Sequence, residues 1–172
     1  MKYNSIKSYS MKSNSTIFDF SVTDLDNKKV SLEKYRLNNP ILIVNVASLW
    51  GLADRNYKEL ELLFNKYPSL MVLGFPCQQF GKQEYKTNQE IKDYLKKKNI
   101  TFPVFGKVDV NGKNEDPLYT FLKSSVSRFF GKEIPWNFTK FLIVNGKPVK
   151  RYAPPQNPLS FEDEIKKYVW IV

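Results

Sequence analysis

The segment Asn45-Val46-Ala47-Ser48-Leu49-Trp50-Gly51-Leu52 joins a continuous apolar run to a stretch with helical spacing, so it lies where a buried strand hands over to a helix N-terminus. Open backbone N–H groups and the helix macrodipole concentrate positive potential at such a place, and a thiol or selenol held there is biased towards its reactive anion. A redox nucleophile belongs in this link. The side chain written at its centre is Trp50. An indole neither ionises as a nucleophile nor cycles through the oxidation states open to a chalcogen.

Composition closes off most other chemistries. The chain has no histidine and a single cysteine, Cys77. A Ser/His/Asp triad and a Cys/His pair each need an imidazole as base, so neither can be built. Protein zinc sites draw mainly on His and Cys clusters, and no metal or other bound cofactor is expected. One cysteine cannot close a disulfide within the chain, which is compatible with a reducing compartment. Cys77 lies at the end of a strand pattern and reads as a buried structural thiol.

The formal charge of +10 comes mostly from dispersed lysine, with arginine only at Arg36, Arg55, Arg128 and Arg151. Lysine spread in this way reads as solvated faces and not as a nucleic-acid surface. It would still attract small anions and anionic lipid surfaces. No apolar run approaches the length of a membrane span, and no secretory block or arginine-rich transit pattern is evident near residue 1, so a soluble cytoplasmic protein is expected.

At 172 residues with 42% hydrophobic content the chain can bury one core. Residues 1–16 are rich in Lys, Ser and Asn and read as a flexible tail, leaving 17–172 as one domain. From Ile17 the pattern predicts a small hairpin through Val22 and Val30, then a strand buried on both faces over 40–47. Tyr57, Leu60, Phe64 and Tyr67 recur at helical spacing, and Leu70 to Phe75 reads as a second buried strand. Strand, helix and strand in that order predict a right-handed parallel unit.

Thr87-Asn88-Gln89-Glu90 is a capping box opening a helix that ends on Lys96, Lys97 and Lys98. A short strand is expected over Val104 to Val108. Asp116-Pro117 predicts a helix start, Asn145-Gly146 a two-residue hairpin turn between antiparallel strands, and Pro158 or Ser160 the start of a last helix. The sum is an α/β fold with a mixed central sheet of about four strands flanked by helices, the thioredoxin-like layout. No internal repeat or second domain is found.

On these elements sit four ordered blocks: Asn45-Val46-Ala47-Ser48-x-x-Gly51-Leu52, Gly74-Phe75-Pro76-Cys77-x-Gln79-Phe80-Gly81-x-Gln83-Glu84, Lys107-Val108-Asp109-Val110-Asn111-Gly112, and Trp136-Asn137-Phe138-Thr139-Lys140-Phe141-Leu142. With them the chain resembles the glutathione peroxidases from about Ile17 to the C-terminal helix. The resemblance puts the family's catalytic selenocysteine or cysteine at position 50, here Trp50. It carries the three supporting residues over onto Gln83, Trp136 and Asn137, whose amide and indole N–H groups can stabilise a chalcogenide and a departing oxygen. Cys77 matches a family cysteine that does not react with peroxide.

The resemblance implies glutathione-dependent reduction of hydrogen peroxide and lipid hydroperoxides in antioxidant defence, provided residue 50 is selenocysteine or cysteine in the active form. Selenocysteine is encoded by UGA, a codon that some genetic codes and recoding schemes read as tryptophan. Trp50 therefore stands either for selenocysteine or for a genuine substitution, the second giving a catalytically inactive binding or structural protein. The stretch from Asn88 to Phe105 lacks the resolving cysteine of thioredoxin-dependent relatives, so glutathione is the implied reductant.

The short connection from Lys123 to Pro135 resembles the monomeric, phospholipid-hydroperoxide type, with membrane-surface contact as a further expectation. Two departures bear on the site. Gln78 stands where the family usually has asparagine, and Tyr85-Lys86 where it has Pro-Gly, which implies a displaced loop around Gln83.

Overall fold

The computed structural model describes residues 14–126 and 131–170. The expected tail over 1–16 lies outside the described residues except at its end, where Thr16 is already part of the fold. Its side chain accepts from the Phe18 N–H and closes a capping box with Asp19 on a 3-10 turn at Ile17–Asp19. Two short strands, β1 (Ser21–Thr23) and β2 (Lys29–Ser31), pair antiparallel as the N-terminal hairpin.

The central sheet holds β3 (Ile41–Val46), β4 (Met71–Pro76), β5 (Lys140–Val144) and β6 (Lys147–Tyr152) in the order β4-β3-β5-β6. β3 runs parallel to β4 and antiparallel to β5, and β5 and β6 form a hairpin. Every residue of β3 is buried, as its unbroken β-branched run requires. The turn between β5 and β6 places Asn145 at φ 50° and Gly146 at φ 77°, the left-handed pair of a type I′ hairpin. A Cβ on Gly146 would meet the Phe18 ring at 2.6 Å. This glycine is therefore required both by the turn and by the packing of the N-terminal segment.

Among the described residues four helices cover the sheet: α1 (Ala53–Lys66), α2 (Asn88–Lys97), α3 (Pro117–Ser125) and α4 (Glu162–Lys166), the last preceded by a 3-10 turn at Pro158–Phe161. The pleat of β3 divides the core in two. Leu42, Val44 and Val46 pack with Tyr57, Leu60 and Leu63 of α1, Ile91 of α2 and Ile165 of α4. Ile41 and Ile43 pack with Leu118, Phe121 and Leu122 of α3 and with the N-terminal segment. The capping box of α2 forms between Thr87 and Glu90, and Asp116 caps α3 with Pro117 in its first turn, as the sequence predicts.

The expected strand over Val104 to Val108 does not form as a strand. Val104 bridges Gly74 and Phe105 bridges Asp24, each in isolation. Pro103 and Pro76 carry no N–H, so a continuous ladder between these two segments lacks donors on both sides.

Lys140, at the start of β5, is fully buried. Its Nζ donates to the carbonyls of Pro154 at 3.1 Å and Gln156 at 2.7 Å, tying the segment before the last helix to the sheet. Burial pushes its ammonium down to about 7, with Glu59 opposing the shift. Above that value the native state has released a proton that the unfolded chain keeps up to about 10.4, so stability rises with pH across this window. We expect urea unfolding between pH 7 and 9 to show this rise, at most about 1.4 kcal/mol per pH unit. Lys140→Met should flatten it, and equal slopes in both proteins would refute the assignment.

Candidate active site

The link after β3 enters α1 through Leu52, which supplies no side-chain cap. The first-turn N–H groups therefore keep their positive potential for whatever sits at position 50. Trp50 is half-buried, and its ring stacks on Phe138 with centroids 5.7 Å apart. Around it the link is open. Leu49 and Leu52 are exposed, and a Cβ added to Gly51 would meet nothing within 4 Å. Beside the link lies a groove of about 640 Å³ whose lining includes Ser48, Trp50, Gly51, Asp54, Tyr94 and Lys97.

Gln83 reaches this link from the loop after β4. Its carbonyl accepts from the Leu49 N–H at 2.8 Å, and its side-chain Oε1 accepts from Asn137 Nδ2 at 2.9 Å. With Oε1 engaged, the amide NH₂ of Gln83 is left to donate. The displacement implied by Gln78 and Tyr85-Lys86 does not separate Gln83 from its partner. Gln78 Nε2 holds the carbonyls of Glu84 at 3.1 Å and Tyr85 at 3.3 Å, which keeps the loop in place. The structure thus brings Gln83 and Asn137 into direct contact and Gln83 to the link carrying Trp50. Trp136 adjoins Asn137 in sequence, and its ring packs on Phe80 at 5.4 Å.

Three residues that sequence reasoning did not single out as site residues hold this arrangement. Asn45, the only polar side chain within β3, donates from Nδ2 to the Trp136 carbonyl at 3.1 Å and accepts the Thr139 N–H at 3.0 Å. Phe138 takes φ 58°, a left-handed conformation uncommon for a bulky side chain. Its N–H donates to the Asn45 carbonyl at 2.7 Å, and its buried ring lies against Tyr57 as well as Trp50. Glu84 is buried beneath the link and accepts from the Ser48 N–H at 3.1 Å and the Tyr85 N–H at 2.9 Å. A polar residue inside an apolar strand is a readable signal for Asn45. Glu84 and Phe138 carry none.

Cys77 is fully buried, and burial pushes its thiol up to about 11. A thiol held protonated in this way is a poor nucleophile. Among the described residues no group of three His, Cys, Asp or Glu side chains gathers to hold a metal ion.

The glutathione peroxidase family model matches residues 17–123. The chain belongs to the glutathione peroxidase family. Membership makes it a peroxidase-type oxidoreductase on a thioredoxin-like fold. It is 47% identical over 160 residues to the "Probable phospholipid hydroperoxide glutathione peroxidase" of Citrus sinensis, covering 91% of this chain and 95% of that one. It is 47% identical to the "Phospholipid hydroperoxide glutathione peroxidase 1, chloroplastic" of Arabidopsis thaliana, covering 88% of this chain and 66% of that longer protein.

The "Probable glutathione peroxidase 3, mitochondrial" of Arabidopsis thaliana is 46% identical, with 96% of this chain and 82% of that one covered. Among solved structures, Trgpx in its apo form superposes with TM-score 0.73 at 37% identity, covering 90% of this chain and 95% of that one. A thioredoxin-family thiol:disulfide interchange protein from Chlorobium tepidum shares the fold with TM-score 0.63 at 15% identity, over 86% of this chain and 91% of that one.

These relatives correct the expected cytoplasmic placement. Glutathione peroxidases this similar are named chloroplastic and mitochondrial. An organelle address is read by a receptor and leaves no mark on the folded core. The lack of arginine in residues 1–16 therefore does not place this glutathione peroxidase in the cytoplasm.

Burial raises the carboxyl of Glu84 above the ordinary range against its hydrogen bonds from Tyr85 and Ser48, and its Oε2 is buried without a partner among the described residues. The native protein therefore binds more protons than the unfolded chain above the ordinary carboxylate value of about 4.3, and stability falls as pH rises through the raised value. Glu84→Gln keeps the acceptor for both N–H groups. It should remove that fall when unfolding is followed from pH 4 to 8, whereas an unchanged profile would show that Glu84 titrates normally.

Proposed function

We propose that this chain reduces hydrogen peroxide and lipid hydroperoxides to water and alcohols at the expense of glutathione. In this reading residues 17–172 are the working domain and position 50 carries selenocysteine or cysteine in the active protein. Gln83, Trp136 and Asn137 supply the hydrogen-bond donors. The observation that carries it is the 2.9 Å contact of Asn137 with Gln83, together with the 2.8 Å contact of Gln83 with Leu49. These bonds join three sequence-distant blocks at the residue next to position 50, where a family member needs them.

The chemistry follows from the groups available. A chalcogenide at position 50, favoured by the uncapped N-terminus of α1, attacks one peroxide oxygen and the O–O bond breaks. The departing oxygen leaves as water or alcohol after taking a proton, its developing charge met by the amide and indole donors. One glutathione thiol then displaces water from the oxidised residue to form a mixed disulfide or selenenyl sulfide. A second attacks its own kind's sulfur, releasing oxidised glutathione and restoring the chalcogenide.

Glutathione fits because Cys77, the chain's only cysteine, is buried and cannot act as a resolving thiol at the link. Lys97 in the groove offers a counter-charge for a carboxylate of glutathione, and Asp54, Glu90 and Asp93 in the same lining offer one for its ammonium. The exposed Leu49, Leu52 and Trp136 around the link suit an apolar peroxide, and with it contact of a monomer with a membrane surface.

Trp50→Cys should create glutathione-dependent peroxidase activity, while the tryptophan form stays inert with hydrogen peroxide. In that background Gln83→Ala or Asn137→Ala should lower the rate of the peroxide step by about 10²-fold. Mass analysis of the peptide containing residue 50 from the native source separates selenocysteine from tryptophan. A folded Trp50→Cys protein without activity would sink the reading, and tryptophan in the native protein would make it the inactive relative.

A further inference from the structure

Trp136 differs from the other two proposed donors in how it is held. Asn137 is fully buried, but Trp136 is 39% exposed, and its ring rests on Phe80 at an interplanar angle of 43°. Packing on one side does not fix an indole that faces solvent on the other. The direction of its N–H then depends on where its backbone is held together with the Phe80 contact.

The backbone on the C-terminal side is held by Asn45 at the Trp136 carbonyl. On the N-terminal side Arg151 donates to the Glu133 carbonyl at 2.6 Å, and the residue nearest Trp136 that is held by a side chain is Ile134, bound by Asn111. Asn111 Nδ2 donates to the Ile134 carbonyl at 2.7 Å, and Asn111 Oδ1 accepts the Ile134 N–H at 2.8 Å. The carboxamide thereby pairs with residue 134 as a neighbouring strand would. Lys123, itself buried and ion-paired with Glu115, adds a 3.2 Å bond to the same Oδ1.

Asn111 is fixed in turn by its own backbone. Gln79 Oε1 accepts the N–H groups of Val110 at 2.7 Å and Asn111 at 3.1 Å, and Gln79 Nε2 donates to the Asn111 carbonyl at 2.8 Å. Phe80, the next residue in the chain, is the one under the Trp136 ring. The floor and the backbone of Trp136 are therefore coupled through Gln79 and Asn111.

We infer that Asn111 is a positioning residue of this site, which sets the aim of Trp136 through the backbone of Ile134 and rests on the reading of Trp136 as a donor. It touches no reacting atom. Its carboxamide is needed whole, because one end accepts and the other donates. Donors that stabilise a leaving oxygen lose their effect with small misplacement, so loosening this clamp should slow the peroxide step about 10-fold or more. Attack of glutathione on the oxidised residue, which the indole N–H does not assist, should be unaffected.

The test uses a Trp50→Cys/Trp170→Phe background, in which Trp136 is the single tryptophan. Asn111→Ala should slow thiol oxidation by hydrogen peroxide about 10-fold, leave reduction by glutathione unchanged, and raise quenching of Trp136 emission by acrylamide. Asn111→Asp keeps the acceptor for Ile134 and Lys123, should fold if Asn111→Ala does not, and should slow thiol oxidation as well, because it sets a carboxylate oxygen against the Ile134 carbonyl. Ile165→Val, in the core cluster on the other face of the sheet from Ile134 and Phe80, should lower thermal stability and move neither readout.

Unchanged peroxide kinetics in folded Asn111→Ala or Asn111→Asp would overturn the inference, and so would unaltered Trp136 quenching. If the background itself lacks peroxidase activity the reading of the site fails instead, and the quenching alone decides whether Asn111 holds Trp136.

Discussion

The site depends on a single buried carboxamide. Asn45 lies in the central strand β3, which has no other polar side chain, and it binds the segment that leads into β5 at Trp136, Phe138 and Thr139. Leaving such a group unsatisfied costs about 1–3 kcal/mol per polar atom. A slip of one residue between β3 and β5 would also turn Leu42 and Val44 to the wrong face. The polar and apolar demands therefore agree on one register. That register puts the end of β3, which leads into the link carrying position 50, beside the segment that carries Trp136 and Asn137.

Around this junction the protein accepts local strain and desolvation. Phe138 holds a left-handed backbone, Glu84 buries an oxygen without a partner among the described residues, and so does Asn137 with its Oδ1. Each lowers stability, and each lies within or directly beneath the loops that meet at position 50. Buried polar groups concentrated where loops converge mark a place shaped for chemistry more than for folding. Lys140 shows that the same expedient reaches outward, since its buried ammonium anchors the chain before the last helix through two carbonyls.

What could be read from the sequence was what neighbours in the chain decide. The capping box at Thr87, the helix start at Asp116-Pro117 and the turn at Asn145-Gly146 all formed because their partners lie within a few residues. The pairings that build the site are long-range. Asn45 finds Trp136 across 91 residues, Ser48 finds Glu84 across 36 and Asn111 finds Ile134 across 23. No local pattern announces these, and Gln83, Trp136 and Asn137 were found only through whole blocks of family resemblance. The strand expected at Val104 to Val108 failed for the complementary reason. Its apolar pattern was right, but Pro103 and Pro76 withheld the donors that a ladder needs.

These relations explain how a tryptophan can occupy position 50 without disturbing the fold. The link is held by its backbone, through the Leu49 N–H to Gln83 and the Ser48 N–H to Glu84, and its outer face is open. The Trp50 side chain adds one stacked contact on Phe138 and supplies none of the bonds that bring Gln83 to Asn137. A smaller chalcogen side chain in its place would leave those bonds intact and vacate the space above Phe138. The room cleared opens onto the groove lined by Ser48, Gly51 and Tyr94, beside the uncapped N-terminus of α1.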